Sequence, residues 1–223
     1  MLSNLSIHVN EHTYLKNPET SDLGKRIVTV SIDLIDDLGF ENFTFKKLGQ
    51  AIGSPEASVY RYFESKHKVL LYLTNWYWGW MAYRLQLALA NIESPKIRLE
   101  KAVQLLTQKV VEDSDFSHIN EVKLHSIVIS ESSKAYLTKQ VDLDNHDGAY
   151  AAYKAIVAEV GGIVSELSPT FNCPNMLVST VIVGSHHQRF YAEHLPKLTN
   201  VMPGEDLVPT FYKDLVFKAI QVS

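Results

Sequence analysis

Gly53-Ser54-Pro55 constrains this chain more than any other three residues. Glycine ends a helix by taking positive φ at little cost, serine caps the next one, and proline at the first helical position sacrifices no hydrogen bond. One helix therefore stops and another starts within about three residues. On the near side, Thr44 suits an N-cap, and Phe43 and Leu48 are spaced to staple the entry of a helix over about 45–52. On the far side, Val59 and Phe63 share one face of a helix over about 55–63. Upstream, Ile27, Val30, Leu34, Ile35 and Leu38 recur at helical spacing before Gly39, which predicts a helix over about 23–38. Two short helices joined by a tight turn make a helix-turn-helix, and Leu48, Ile52, Val59 and Phe63 would pack against the stripe of the first helix.

Downstream, Ser65 can cap a long helix over about 66–93 that ends at Ser94-Pro95. Further helices are predicted over about 96–113, 118–139, 146–167, 174–194 and 209–221. With 10 Gly and 8 Pro in 223 residues, the composition favours long helices over many-turned β architecture. The predicted fold is all-α: an N-terminal three-helix helix-turn-helix domain over 22–68, then a C-terminal helical domain over 69–223. Residues 1–21 are polar and aperiodic and are expected to form a flexible arm. The single cysteine, Cys173, suits a reducing compartment and excludes an internal disulfide or a multi-cysteine zinc site. The first residues lack the basic-then-apolar pattern of a secretory signal, and no apolar run approaches the roughly 20 residues of a membrane span. A cytoplasmic location without a membrane is the expectation.

Net charge is −4, and residues 22–68 balance seven Lys/Arg against seven Asp/Glu, so the total gives no hint of a polyanionic partner. Where the cations sit does. A helix start carries about half a positive charge, so a first-turn lysine is unfavourable by a few tenths to about 1 kcal/mol. Yet Lys46 and Lys47 open the second helix, and Lys66, His67 and Lys68 open the fourth. A polyanion would reverse that cost, because N–H groups at a helix start and nearby ammonium groups together hold phosphate. Between these two starts lies PEASVYRYF. Ser54, Pro55 and Ser58 are small enough for close approach to base edges, while Tyr60, Arg61 and Tyr62 reach phosphates or bases. Val59 and Phe63 belong to the local core, which has no room for Tyr60, Arg61 and Tyr62 together.

The run TFKKLGQAIGSPEASVYRYFESK, Thr44 to Lys66, resembles the DNA-binding signature of the TetR (TetR/AcrR) transcriptional regulators, with similarity over about residues 22–70. The resemblance implies that Thr44 and Lys66 bind phosphates, that Tyr60 and Tyr62 contact backbone or base, and that Lys46, Glu56 and Ser58 stand where bases are read. Glu56 is a double-edged residue: a carboxylate can accept from cytosine N4 but repels phosphate. By the same resemblance the chain is a homodimer on palindromic double-stranded DNA, a repressor released by a small-molecule effector bound in the C-terminal domain, with no further cofactor.

In TNWYWGWMAYRLQ, Trp76, Trp80 and Tyr83 share a face, and burial in a core is the commoner fate of such a stripe. The resemblance makes Trp76, Trp80, Tyr83 and His125 the expected effector contacts. Nine histidines suggest a metal, but the adjacent His186 and His187 point about 100° apart on a helix, and no ligand set is completed by spacing. No metal site is expected. The apolar segments 146–167 and 174–194 are expected to pair with a second copy, with Gly161-Gly162 a point of bending. Neither a nucleophile elbow, a metalloprotease helix, a phosphate loop nor a dinucleotide fingerprint is present, so no enzyme is expected. Two other readings stay open at this level: a helical adaptor that has lost DNA binding, and a helical enzyme with an unfamiliar site.

Overall fold

The structure, a computed structural model, describes residues 6–112, 116, 118–202 and 204–222. Among these the chain is helical and contains no strand, as predicted. The helices are α1 (Asp22–Leu38), α2 (Phe45–Ala51), α3 (Glu56–Tyr60), α4 (Lys66–Leu89), α5 (Pro95–Thr107), α6 (Glu121–Glu131), α7 (Ser133–Tyr136), α8 (Val141–His146), α9 (Ala151–Leu167), α10 (Pro174–His194) and α11 (Val208–Ala219).

Two compact units result, Met1–Trp80 with Val110–Ala151 and Met81–Lys109 with Ala152–Ser223. This differs from a boundary at residue 68. Residues 110–151 join the N-terminal helices because long-range bonds tie them there: Lys123 Nζ to Asp33 Oδ1 at 2.6 Å, Thr29 Oγ1 to the His118 carbonyl at 2.6 Å, and Phe40 N to Glu131 Oε1 at 3.1 Å.

In the first unit, Ser21 caps α1 by accepting from Gly24 N at 3.1 Å, and Gly39 ends it at φ +74. The buried face of α1 is Ile27, Val28, Ser31, Ile32 and Ile35, so the expected stripe is rotated: Leu38 is 39% exposed, and Val30 and Leu34 are half-buried. Apolar residues at nearly every third or fourth position permit either face, and packing against α2, α6 and the turn at Pro18–Thr20 selects this one. Thr44 Oγ1 caps α2 by accepting from Lys47 N at 3.2 Å. Leu48, Val59 and Phe63 are completely buried and Ile52 nearly so, the core predicted for the three helices, and Phe43 is completely buried as well.

Gly53 turns the chain at φ +64. A Cβ added at Gly49 would sit 2.8 Å from the Ser54 carbonyl oxygen, so α2 and the chain entering α3 meet at backbone distance. The cap of α3 is Pro55 rather than Ser54, and α3 ends at Tyr60 instead of 63. Five side chains in succession, Val69 to Leu73, are buried in α4, which explains its lack of an amphipathic stripe.

Several boundaries move. Asn91, at φ +59, ends the turn after α4. The predicted helix over 118–139 divides into α6 and α7, and the one over 146–167 begins at Ala151, after Gly148 at φ +83 has separated it from α8. α9 runs unbroken through Gly161-Gly162. The helix predicted over 96–113 stops at Thr107, where Gln108 turns to extended backbone; its last predicted residue, 113, and the first five residues of the expected arm lie outside the described residues.

The second unit packs α5, α10 and α11 against one another. Leu99, Val103, Val160, Val164, Val178, Val181 and Val216 are buried there. Arg189 is buried among them, and its guanidinium donates to Asp206 Oδ2 at 3.1 Å and to the Thr107 carbonyl. Among the described residues no helix is long and apolar enough to cross a membrane.

Candidate nucleic-acid interface

Around the helix-turn-helix, Thr44, Lys46, Pro55, Glu56, Tyr60 and Arg61 are exposed, and Ser54, Ser58 and Lys66 are half-buried. Nine of the ten residues the sequence nominated are thus at least partly open to solvent. Tyr60 is 50% exposed while its ring packs edge-on against buried Phe45, with centroids 4.8 Å apart. That contact fixes the ring and leaves the hydroxyl end free of the core.

Tyr62 is the exception, at 3% exposure. Its hydroxyl lies 2.8 Å from Ser21 Oγ, its carbonyl accepts from Leu15 N at 2.7 Å, and Lys16 Nζ stands 5.0 Å from its ring centroid. An outward role for Tyr62 is therefore corrected: α3 ends early enough for its side chain to turn inward, against residues that come before α1.

The lysines divide similarly. Lys66 Nζ donates to the carbonyls of Phe40 and Glu41, each at 3.1 Å, and lies 4.7 Å over the Phe40 ring. His67 Nε2 and Lys68 Nζ meet the buried Asp144 carboxylate at 3.1 and 3.0 Å. The cations that open α4 thus have acceptors inside the fold, which lowers the cost that seemed to require a polyanion. At α2, Lys47 Nζ donates to the Asn42 carbonyl at 2.9 Å, whereas Lys46 is simply exposed.

Three of the four expected effector residues, Trp76, Trp80 and His125, are buried. Trp76 and Trp80 are fully buried and stacked on each other at 6.3 Å, with Phe116 edge-on to Trp76 at 5.3 Å. His125, also buried, stacks on Tyr77 at 5.6 Å. Tyr83 is half-buried and belongs to the second unit. The core reading of this stripe fits Trp76 and Trp80. Sequence reasoning overlooked Asp144, Glu131 and Arg189, whose partners are distant in the chain and leave no local signal; Glu131, for example, bonds Phe40 N across 91 residues. It also overlooked a cavity of about 380 Å³ in the second unit, bordered by Leu198, Val201, Leu207, Phe211, Gln188 and Asp214. Among the described residues, no group of three or more His, Cys, Asp or Glu side chains could hold a metal ion.

Residues 27–73 match the family model for bacterial regulatory proteins of the tetR family. No curated protein matches the chain in sequence. Among solved structures, AibR in complex with isovaleryl coenzyme A and operator DNA aligns over 91% of this chain and 97% of its own, at 14% identity and a TM-score of 0.58. The TetR family transcriptional regulator PfmR from Thermus thermophilus aligns over 88% and 98%, at 13% identity and 0.57. The superantigen PfiT aligns over 92% and 97%, at 15% identity and 0.57. At such identities the likeness is one of fold.

Proposed function

We propose that this chain, whose residues 27–73 match the tetR family of bacterial regulatory proteins, acts on double-stranded DNA as a homodimeric repressor, released from a palindromic operator by a small-molecule effector, rather than as an enzyme. The observation that carries this reading is the exposed surface of Thr44, Lys46, Pro55, Glu56, Tyr60 and Arg61 mounted on a buried three-helix core. Such a surface offers cations for phosphate and a short helix with a small-residue start for base edges. A solved neighbour crystallised with operator DNA supports the same reading. Thr44 and Lys46 would contact phosphate, Glu56 and Ser58 would face bases, and Arg61 and Tyr60 would reach either.

Duplex retention tests it directly. With a fragment upstream of the protein's own reading frame, Lys46→Ala and Arg61→Ala are each expected to weaken binding about tenfold near 0.1 M salt. Each should also reduce the slope of log affinity against log salt by about 0.9. Retention indistinguishable from wild type in the double variant, at every salt concentration, would falsify the assignment. Lys66→Ala is a poorer probe because that ammonium also bridges two carbonyls.

The proposed dimer face shifts from the expected pair of segments. The outward residues of α9 include Lys154, Ala155, Glu159, Gly162 and Glu166, small or charged. Exposed apolar side chains instead lie on α10, at Met176 and Val183, and on α11, at Phe211 and Leu215. A twofold interface needs one self-complementary apolar patch, and these residues of α10 and α11 would supply it. Sedimentation should give a wild-type dimer and a folded monomer for Val183→Glu combined with Phe211→Glu. A monomeric wild type overturns the assignment, and so does an unchanged dimer in the double variant. Dimerisation would set two recognition helices at the roughly 34–36 Å spacing of adjacent half-sites, and an effector preferring another arrangement would displace them.

A further inference from the structure

The residues before α1 do not behave as an arm. Val9, Thr13 and Pro18 are buried, and two 3-10 turns, Glu11–Thr13 and Pro18–Thr20, are each capped by an asparagine, Asn10 and Asn17. Fixing so many residues costs conformational entropy, so ordered segments must be held by contacts. Three of those contacts rest on glycines in three different places. A Cβ at Gly24 of α1 would come within 2.7 Å of Pro18 Cα, one at Gly79 of α4 within 2.6 Å of Ile7 Cγ2, and one at Gly148 within 2.9 Å of Asn10 Nδ2.

The polar contacts are as widely spread. Asn10 Nδ2 donates to the Asp147 carbonyl at the end of α8, 2.9 Å away. Glu19 Oε1 lies 2.9 Å from His118 Nε2 and accepts from the Tyr72 hydroxyl of α4 at 3.2 Å. Tyr14 packs edge-on against the same Tyr72, with centroids 6.1 Å apart. Leu15 N and Ser21 Oγ both meet Tyr62, the residue that follows α3 by two positions.

We propose that residues 7–21 are a strap that positions the recognition helix α3, joining Tyr62, two residues past its end, to Asp147 and His118 elsewhere in the first unit. Displacement of the 118 and 141–148 segments is then transmitted to α3 through the strap as well as through α4. The carboxylate of Asp144 adds to this connection, since it holds α8 to His67 and Lys68 at the start of α4. That the strap affects DNA recognition rests on the function proposed above; the mechanical link does not.

Hydrogen exchange on the full-length, DNA-free protein separates the two. Asn10→Asp keeps the Oδ1 that caps the first turn, accepting from His12 N at 2.9 Å, and replaces the donor to the Asp147 carbonyl with a carboxylate oxygen that repels it. Gly24→Ala presses a methyl group into the Pro18 backbone, although alanine alone would favour helix α1. Both variants should raise exchange about tenfold in residues 56–64, which neither position touches. Faster exchange confined to 7–21 and the immediate neighbours of the substitution, with 56–64 at wild-type rates in Asn10→Asp, overturns the strap. Should 56–64 respond while the wild-type protein retains no duplex, the strap stands and the DNA-binding reading falls. Duplex retention with no response at 56–64 removes the strap and leaves the DNA-binding reading in place.

Discussion

Trp80→Ala is expected to destabilise the protein by about 3–5 kcal/mol, the range for deleting a buried tryptophan. No part of its side chain reaches solvent, and its neighbours are aromatic: Trp76 stacked at 6.3 Å and Tyr77 tilted at 6.0 Å. Rigid rings leave little freedom to collapse into the space, so most of the cavity cost should be felt. For a chain of this length the melting temperature should fall by roughly 6–20 °C. Urea unfolding followed by tryptophan fluorescence and circular dichroism measures the change. A loss below about 1 kcal/mol would sink the core assignment and favour a ligand-facing indole, because residues that shape a binding site often contribute little to folding. Trp80→Phe, which keeps an aromatic ring, should cost much less.

Acidification should weaken the second unit through His186. Burial pushes its imidazole down from 6.5 to about 4, and the neighbouring charges of Arg189 and His187 act in the same direction. Between pH 6.5 and 4 the unfolded chain therefore binds a proton here that the native protein refuses. Stability from this residue is complete above pH 6.5, declines as pH falls towards 4, and levels off below it. The full window corresponds to about 3 kcal/mol. His186→Gln cannot titrate, so its urea midpoint should depend less on pH than that of wild type between pH 7 and 4.5. Parallel pH profiles would refute the assignment. Arg189 and Asp206 belong to both proteins in that comparison, so their own titration cancels to first order.

Features that act over three or four residues are legible in the sequence. Thr44 caps α2, Gly53 turns the chain, and Leu48, Val59 and Phe63 form a buried core, because caps, positive φ and helical spacing all work at that range. The burial of Trp76 and Trp80 also follows from their common face. That of Tyr62 does not, since its partners Leu15, Lys16 and Ser21 come from the other side of α1. Nor does the role of Lys66: a first-turn lysine looks uncompensated until Phe40 and Glu41 present their carbonyls to it.

The amino-acid sequence determined, by short-range rules alone, that the chain is helical, where most helices begin, and that a helix-turn-helix carries Lys46, Glu56 and Arg61 outward. Tertiary structure decided which face of α1 is buried, which helix-start cations are already paired, and that residues 7–21 are ordered. Those outcomes depend on groups as far apart in sequence as Asn10 and Asp147. Their hydrogen bond exists only once distant segments have packed, and nothing in the spacing of neighbouring residues records it.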